Sequence, residues 1–427
     1  MTTDPTNVVA LGKGDFFAID RRTWGRVLNL GMSASAAYLI LARGTLSDMR
    51  STSWSVNAIE QRTTIGRPRI QKALQDLKQA GLIQQTRGGT KPRYYLPPFD
   101  EIGGKEANPL TVDEQALIAK IGRGAWVPKV GRWDGSQWGR ISTRPYEMAL
   151  RLAERGLLKN TSGQTFTRPP EADDPEKPDW VWLPNDLVDG AAEETPPLER
   201  VRQSQRVPAI RLLIDLYHAQ SLQVDGGVHW RSIRQEFERT RIGEQGAYTV
   251  WGFRKTTRRA WGSLFSPYMT GIKDEAGRDT GLDVFWGALD ILERCGLVEL
   301  VAHLVDVDSD EGAVIHPCAY PGSGEPEERS IGGHAHLAGR RMLSAEQLTR
   351  IDGAGLWLVP VQSRIPDVAL LGLVRLRYRA RTTATANWYT PADWAKWADR
   401  YSEMAVLPAT ERRHDGSVID PAMQHQR

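Results

Sequence analysis

The alternation of apolar and polar positions is clearest between Ser33 and Leu96. Ser33 to Ala42 (SASAAYLILA) combines helix formers with an apolar stripe at Tyr38, Leu39 and Leu41, and Gly44 follows as a stop. Ser55 is placed to cap a second helix, VNAIEQRT, with Glu60 and Gln61 outward. A short turn, Thr64-Ile65-Gly66, leads to a third helix that opens at Arg67-Pro68. Proline is tolerated there because the N–H it lacks would have no helical acceptor. In this helix Ile70, Ala73, Leu74 and Leu77 recur at three- and four-residue spacing and predict the inward face. Arg67, Arg69, Gln71, Lys72 and Gln75 are left outward. Gly81 ends the helix. Leu82–Gln85 and Tyr94–Leu96 then read as two strands around a loop carrying Arg87, Lys91 and Arg93.

Helix, short turn, helix is the helix-turn-helix arrangement. The front of its second helix normally meets base edges, where Arg and Gln have side chains able to bond guanine and adenine through two atoms. With the basic hairpin that follows, residues 16–98 resemble the winged-helix family. That resemblance implies that the third helix enters the major groove, with Arg67, Arg69, Gln71, Lys72 and Gln75 reading bases. It also implies that Arg87, Lys91 and Arg93 hold the DNA backbone. The family includes protein-binding modules too, so a scaffold that binds no DNA stays open as an alternative.

The ending of the third helix recurs. Ala73-Leu74, Leu77 and Gly81-Leu82 are echoed by Met148-Ala149, Leu152 and Gly156-Leu157, and again by Ala288-Leu289, Leu292 and Gly296-Leu297. Helical segments at Asp113–Ile121 and Ala209–Ala219 precede the second and third copies. Tandem winged-helix units are therefore expected. The second offers Arg144 at a helix front and Lys159 in its hairpin as further backbone contacts, before an acidic run at Glu171–Asp179. The third has acidic residues at the matching places, Asp283 and then Asp306 to Glu311, which repel phosphate and point to packing or dimerisation. An insertion from about Gly226 to Thr280 carries Arg254, Lys255, Arg258 and Arg259 among aromatics. That mixture suits a phosphate-tracking surface, or equally a helix with Phe and Trp in a core and its arginines in water.

The last hundred residues do not repeat the pattern. Val374 to Arg381 alternates strictly, which predicts a half-exposed strand with Arg375, Arg377, Arg379 and Arg381 about 7 Å apart on one face. Such a row fits phosphates, acidic residues of another domain, or a charged strand edge. Trp388, Trp394 and Trp397 lie on or near an expected last helix, Pro391–Met404, as core residues.

Charge sharpens this picture. The net charge of the 427 residues is only +3, but residues 1–100 hold 14 Lys/Arg against 7 Asp/Glu, and residues 101–200 hold 13 against 17. The basic end is the one with the helix-turn-helix, which favours a polyanionic partner there. Two cysteines, Cys295 and Cys318, exclude a disulfide scaffold and fit a reducing compartment. No run of eighteen apolar residues predicts a membrane span, and the N-terminus lacks the pattern of a secretory signal. Asp306-x-Asp308-x-Asp310 lacks the glycine and terminal glutamate of a calcium loop. His334-Ala335-His336 has no partners at zinc spacing, and neither a phosphate-binding glycine-lysine loop nor a nucleophile elbow occurs.

The expectation is an α+β chain of tandem winged-helix domains with a small C-terminal α/β module. Its segments are 1–100, 108–190, 197–320 and 333–407, followed by a disordered tail at 408–427. It is expected to bind double-stranded DNA sequence-specifically as a cytoplasmic, nucleoid-associated transcriptional regulator, with a homodimer allowed, and with no enzymatic activity, cofactor or membrane partner. Tandem units also resemble plasmid or phage replication initiators, which bind repeats at an origin.

Overall fold

The computed structural model describes residues 16–89, 91–102, 112–121, 148–149, 152–153, 158–160, 166–167, 178–190, 194–220, 227–230, 232–261, 268, 275, 280–307, 314–319, 323–365, 367–379 and 391–406. It is a mixed α+β chain that divides into two compact units. The first comprises residues 1–220, 261–298 and 376–385; the second comprises 221–260, 299–375 and 386–427. The chain therefore passes from one to the other repeatedly.

The first unit is built around α2 (Met32–Arg43). Every residue from Ala34 to Ala42 is buried, not only the expected stripe. The reason is that α2 is surrounded: β1 (Phe16–Asp20), α1 (Arg21–Leu28), α3 (Val56–Arg62) and α4 (Arg67–Gln79) all pack on it. A helix apolar on all sides is a core helix. Asp20 caps α1 by accepting from the Arg22 backbone N–H at 3.0 Å. In α4 the buried residues are Ile70, Ala73, Leu74 and Leu77, the predicted face. Strands β2 (Ser51–Thr52), β3 (Gln84–Arg87) and β4 (Arg93–Tyr95) form a small sheet in the order β2-β4-β3.

Further along, α5 (Val112–Ile121) has Leu117 and Ile121 in a separate small core with Met148, Ala149, Leu152, Leu158 and Phe166. Beside this core β5 (Lys159–Asn160) pairs with β6 (Phe166–Thr167). Strand β7 (Trp180–Pro184) returns to pair antiparallel with β1. Among the described residues the unit also contains α6 (Asp186–Asp189), α7 (Pro197–Gln203), α8 (Val207–Ala219) and α9 (Thr280–Arg294).

The repeated helix ending has a common geometry where it is described. Gly81 and Gly296 are both left-handed, at φ of 72° and 66°. The Leu82 N–H reaches the Leu77 carbonyl at 2.9 Å, and the Leu297 N–H reaches that of Leu292 at 3.0 Å. A bond from the third residue past the helix back across the last turn needs that left-handed residue, so glycine stands there in both. Gly156 lies outside the described residues.

The second unit contains a six-stranded antiparallel sheet in the order β11-β10-β13-β8-β9-β12. Its strands are β8 (Ile233–Gln245), β9 (Tyr248–Trp261), β10 (Val298–Asp306), β11 (Val314–Pro317), β12 (Trp357–Gln362) and β13 (Val368–Leu376). This corrects the expected segmentation. Strands from 197–320 and from 333–407 share one sheet, and the segment read as an insertion supplies two of its six strands. Helices α10 (Pro326–Arg341), α11 (Ala345–Ile351) and α12 (Pro391–Val406) accompany it. Trp394 and Trp397 pack on its apolar core as expected, and Trp388 lies outside the described residues. Helix α10 lies along β12, whose Leu358 N–H donates to His336 Nδ1 at 3.0 Å. The ring of His336 also stacks on Trp357, so the helix satisfies a backbone donor of an outer strand of the sheet.

Gly332 is where α10 meets the chain most closely, because a Cβ there would overlap the Ala319 carbonyl oxygen. Gly333, the next residue, has open space around it. Gly332→Ala should therefore destabilise by about 1–3 kcal/mol. Gly333→Ala should stabilise by up to about 1 kcal/mol through helix propensity. Chemical denaturation of the two variants checks this, and equal effects would contradict the packing argument.

Candidate nucleic-acid interface

The turn from α3 to α4 is assembled from short-range bonds. Thr63 Oγ1 donates to the Ile59 carbonyl at 2.8 Å and accepts from the Ile65 N–H at 3.3 Å. Ile65 itself is buried, so the turn is pinned from below. Gly66 is the N-cap of α4 and offers no side-chain acceptor, and Pro68 follows in the first turn. The opening of α4 thus carries no acidic residue and presents cations.

All five residues expected to read bases are exposed: Arg67, Arg69, Gln71, Lys72 and Gln75. They are not equally free. Arg67 donates to Asn57 Oδ1 at 2.8 Å and lies 3.5 Å from Glu60 Oε2. Both partners come from α3, the helix read as outward at Glu60. Arg87, Lys91 and Arg93 are exposed as well. The hairpin is irregular between Gln85 and Arg87, where its register shifts, and Gly89 is left-handed at φ 84°. Thr86 Oγ1 donates across it to the Arg93 carbonyl at 3.4 Å, and Lys78 Nζ on α4 donates to Gln85 Oε1 on β3. Between Ser55 and Pro98 there are eight Lys/Arg and two Asp/Glu, so the exposed side of α4 and the hairpin is strongly positive.

Two buried or half-buried clusters behind the turn were not legible in the sequence. Asp189 accepts from Arg43 at 2.7 Å and from Arg62 Nε at 3.0 Å, and the Arg62 guanidinium lies 3.8 Å over the Trp54 ring. On the other side Glu199 Oε1 accepts from the Thr64 N–H at 3.1 Å and from its hydroxyl at 2.8 Å. Arg202 Nε donates to Glu199 Oε2 at 2.5 Å, and its Nη2 to Oε1 at 2.7 Å and to Thr64 Oγ1 at 2.8 Å. Glu199 and Arg202 are buried. Burial pushes the Glu199 carboxyl up, but bonds from Arg202 and Thr64 outweigh this and hold it below the usual carboxylate range. The Glu-x-x-Arg spacing of α7 was the one available signal, and that spacing is common on exposed helices.

The remaining expected contacts are scattered. Arg144 and Arg381 lie outside the described residues. Lys159 lies in β5 opposite Thr167, in the first unit. Arg254, Lys255, Arg258 and Arg259 stand on a strand, β9, and not on a helix. The first three are exposed, but Arg254 is engaged by Glu238 at 2.5 Å, and Arg259 Nε donates to Gln235 Oε1. The predicted arginine row is corrected more sharply. The strand β13 ends at Leu376 and is buried almost throughout. Arg375 is 2% exposed and bonded to Glu328, so it belongs to no surface. Arg377 is exposed and Arg379 half-buried, both beyond the strand. The alternating pattern misled because a buried ion pair occupies a polar position as a surface charge would.

Among the described residues, no helix is long and apolar enough to cross a membrane, and no group of three or more His, Cys, Asp or Glu is placed to hold a metal ion. Comparison with family models, with curated proteins and with solved structures gave no match.

Proposed function

We propose that this chain binds duplex DNA sequence-specifically, with α4 in the major groove and the β3–β4 hairpin on the backbone, in the service of transcriptional regulation. The observation that carries this reading is the exposed row Arg67, Arg69, Gln71, Lys72 and Gln75 on a helix whose opposite face is wholly buried. The order α2–β2–α3–α4–β3–β4, with β4 between β2 and β3, supports reading these residues as a winged helix. In this reading Arg69 is the main base reader, since Arg67 must first leave Asn57 and Glu60. Arg87, Lys91 and Arg93 supply backbone contacts, which set affinity and its salt dependence but not sequence.

Selection from a random duplex library at near-physiological salt, followed by titration of the selected and a scrambled duplex, tests this. Arg69→Ala is expected to cost about 1–3 kcal/mol on the selected site and to relax its sequence preference. Lys91→Ala is expected to weaken both duplexes alike. Equal losses on every duplex for both variants would remove the division of roles, and binding that vanishes with modest salt and selects nothing would remove the function.

A second reading, prompted by the recurring sequence pattern that ends at Gly81-Leu82 and Gly296-Leu297, is a replication initiator that binds repeats at an origin. An enriched direct repeat favours the initiator; an enriched inverted repeat favours a dimeric regulator.

A further inference from the structure

The Glu199–Arg202 pair is buried away from the exposed side of α4, yet among the described residues its bonds to the α3–α4 turn are made at one residue, Thr64. Thr64 stands two residues before the N-cap of α4 and 135 residues from Glu199 in sequence. Both Thr64 donors, backbone and hydroxyl, end on the same carboxylate oxygen. That oxygen also receives Arg202 Nη2 and, at 3.2 Å, Gln203 Nε2. A carboxylate beneath a DNA-facing turn would ordinarily repel phosphate. Here Arg202 neutralises it at close range, and burial hides it. What remains is a fixed acceptor for a residue of the turn, two positions before the N-cap of α4.

The geometry points to Glu199 and Arg202 as positioning residues for DNA recognition, acting through Thr64 to hold the front turn of α4, with Arg67 and Arg69, in the pose that reads bases. This rests on the DNA-binding reading above. Backbone contacts tolerate small displacements of a helix because each phosphate is alike, whereas bidentate bonds to base edges do not. The cluster should therefore govern discrimination between sequences and leave general affinity alone. Thr64 itself is exposed, so replacing it does not disturb the core.

The test compares Thr64→Val, which removes the hydroxyl, with Thr64→Ser, which keeps it, using full-length protein. Thr64→Val removes the hydroxyl's bonds to Glu199 and from Arg202 and is expected to lower the ratio of affinity for the selected site over a scrambled duplex at least about tenfold, since a single charge-assisted hydrogen bond is worth that much. Binding to the scrambled duplex and its salt dependence should not change, and Thr64→Ser should restore the ratio. An unchanged ratio in Thr64→Val, or a loss equal on both duplexes, would overturn the assignment. Amide hydrogen exchange of the free protein separates this from the fate of the DNA reading. Exchange across Thr64–Ile70 should be faster in Thr64→Val and normal in Thr64→Ser. If the wild-type protein prefers no sequence, the DNA reading falls, and the exchange result alone decides whether the cluster positions the helix: unchanged exchange refutes it.

Discussion

Glu328→Ala should destabilise the second unit by about 3–5 kcal/mol, the largest single-residue effect expected in this chain. Glu328 Oε1 accepts from Arg375 Nη1 at 2.6 Å, and its other oxygen accepts from the Glu325 N–H at 2.7 Å, capping α10. Both side chains are almost fully buried. Arg375 Nη2 further meets His303 Nε2 at 3.3 Å. Removing the carboxylate takes from the buried guanidinium the anion bonded to it at 2.6 Å, and the helix start loses an acceptor. The pair itself is worth far less than its disruption costs, because taking both charges out of water nearly cancels their attraction. Glu328→Leu combined with Arg375→Met should therefore recover most of the loss. Urea unfolding of the single and double variants measures both. A single-variant loss under about 1 kcal/mol would mean that solvent reaches the pair.

Acid should weaken the same unit well above the range in which carboxylates titrate. His303 and His316 are fully buried, and burial is the main cause that lowers their pKa values, to about 3 and about 4. The Arg375 charge adds to the effect at His303, and that of Arg400 at His316. The bonds agree with neutral rings. Each Nδ1–H faces a carbonyl, of Val301 at 2.9 Å and of Pro317 at 2.7 Å. Each Nε2 accepts, from Arg375 and from the Tyr401 hydroxyl at 2.7 Å. A lowered folded pKa means that the unfolded chain binds protons the folded chain refuses. Stability is full above the unfolded value near 6.5 and falls as pH drops from there toward the folded values. At pH 5, about 1.5 units below, each histidine should cost about 2 kcal/mol. Urea midpoints between pH 7.5 and 5 read this directly, and a flat profile across that window would refute it. His316→Gln should remove about half of the slope.

The pair of helices α3 and α4 was legible because its information is local. Ile70, Ala73, Leu74 and Leu77 declare one face of α4 within a dozen residues, and Gly81 declares its end. The six-stranded sheet was not, because its pairings are not local. Leu371 lies opposite Glu236 and Leu373 opposite Arg234, and nothing in either segment names the other. Phe253 to Trp261 reads as either helix or surface until it is known to continue the strand whose start, Tyr248–Phe253, pairs with β12. Of the candidate site, the exposed side chains could be named from periodicity. The cluster behind them could not, since Thr64 and Glu199 meet only once the fold brings them together.

Strand β13 joins two hairpins that have no other contact within the sheet: β8–β9 on one side and β10–β11 on the other. It is also the last strand to be made. During synthesis at roughly 5–20 residues per second, the chain spends on the order of ten seconds with β8 complete and its permanent neighbour not yet translated. For that time β8 is an open edge, a template for any extended chain nearby. Its charged residues Arg234, Glu236, Glu238, Arg239 and Arg241, spread over both faces, make it a poor one. On this account the charges of β8 protect the nascent chain first and decorate the finished protein afterwards. Replacing them with neutral residues should show its cost in aggregation during expression before it shows in the stability of the folded protein.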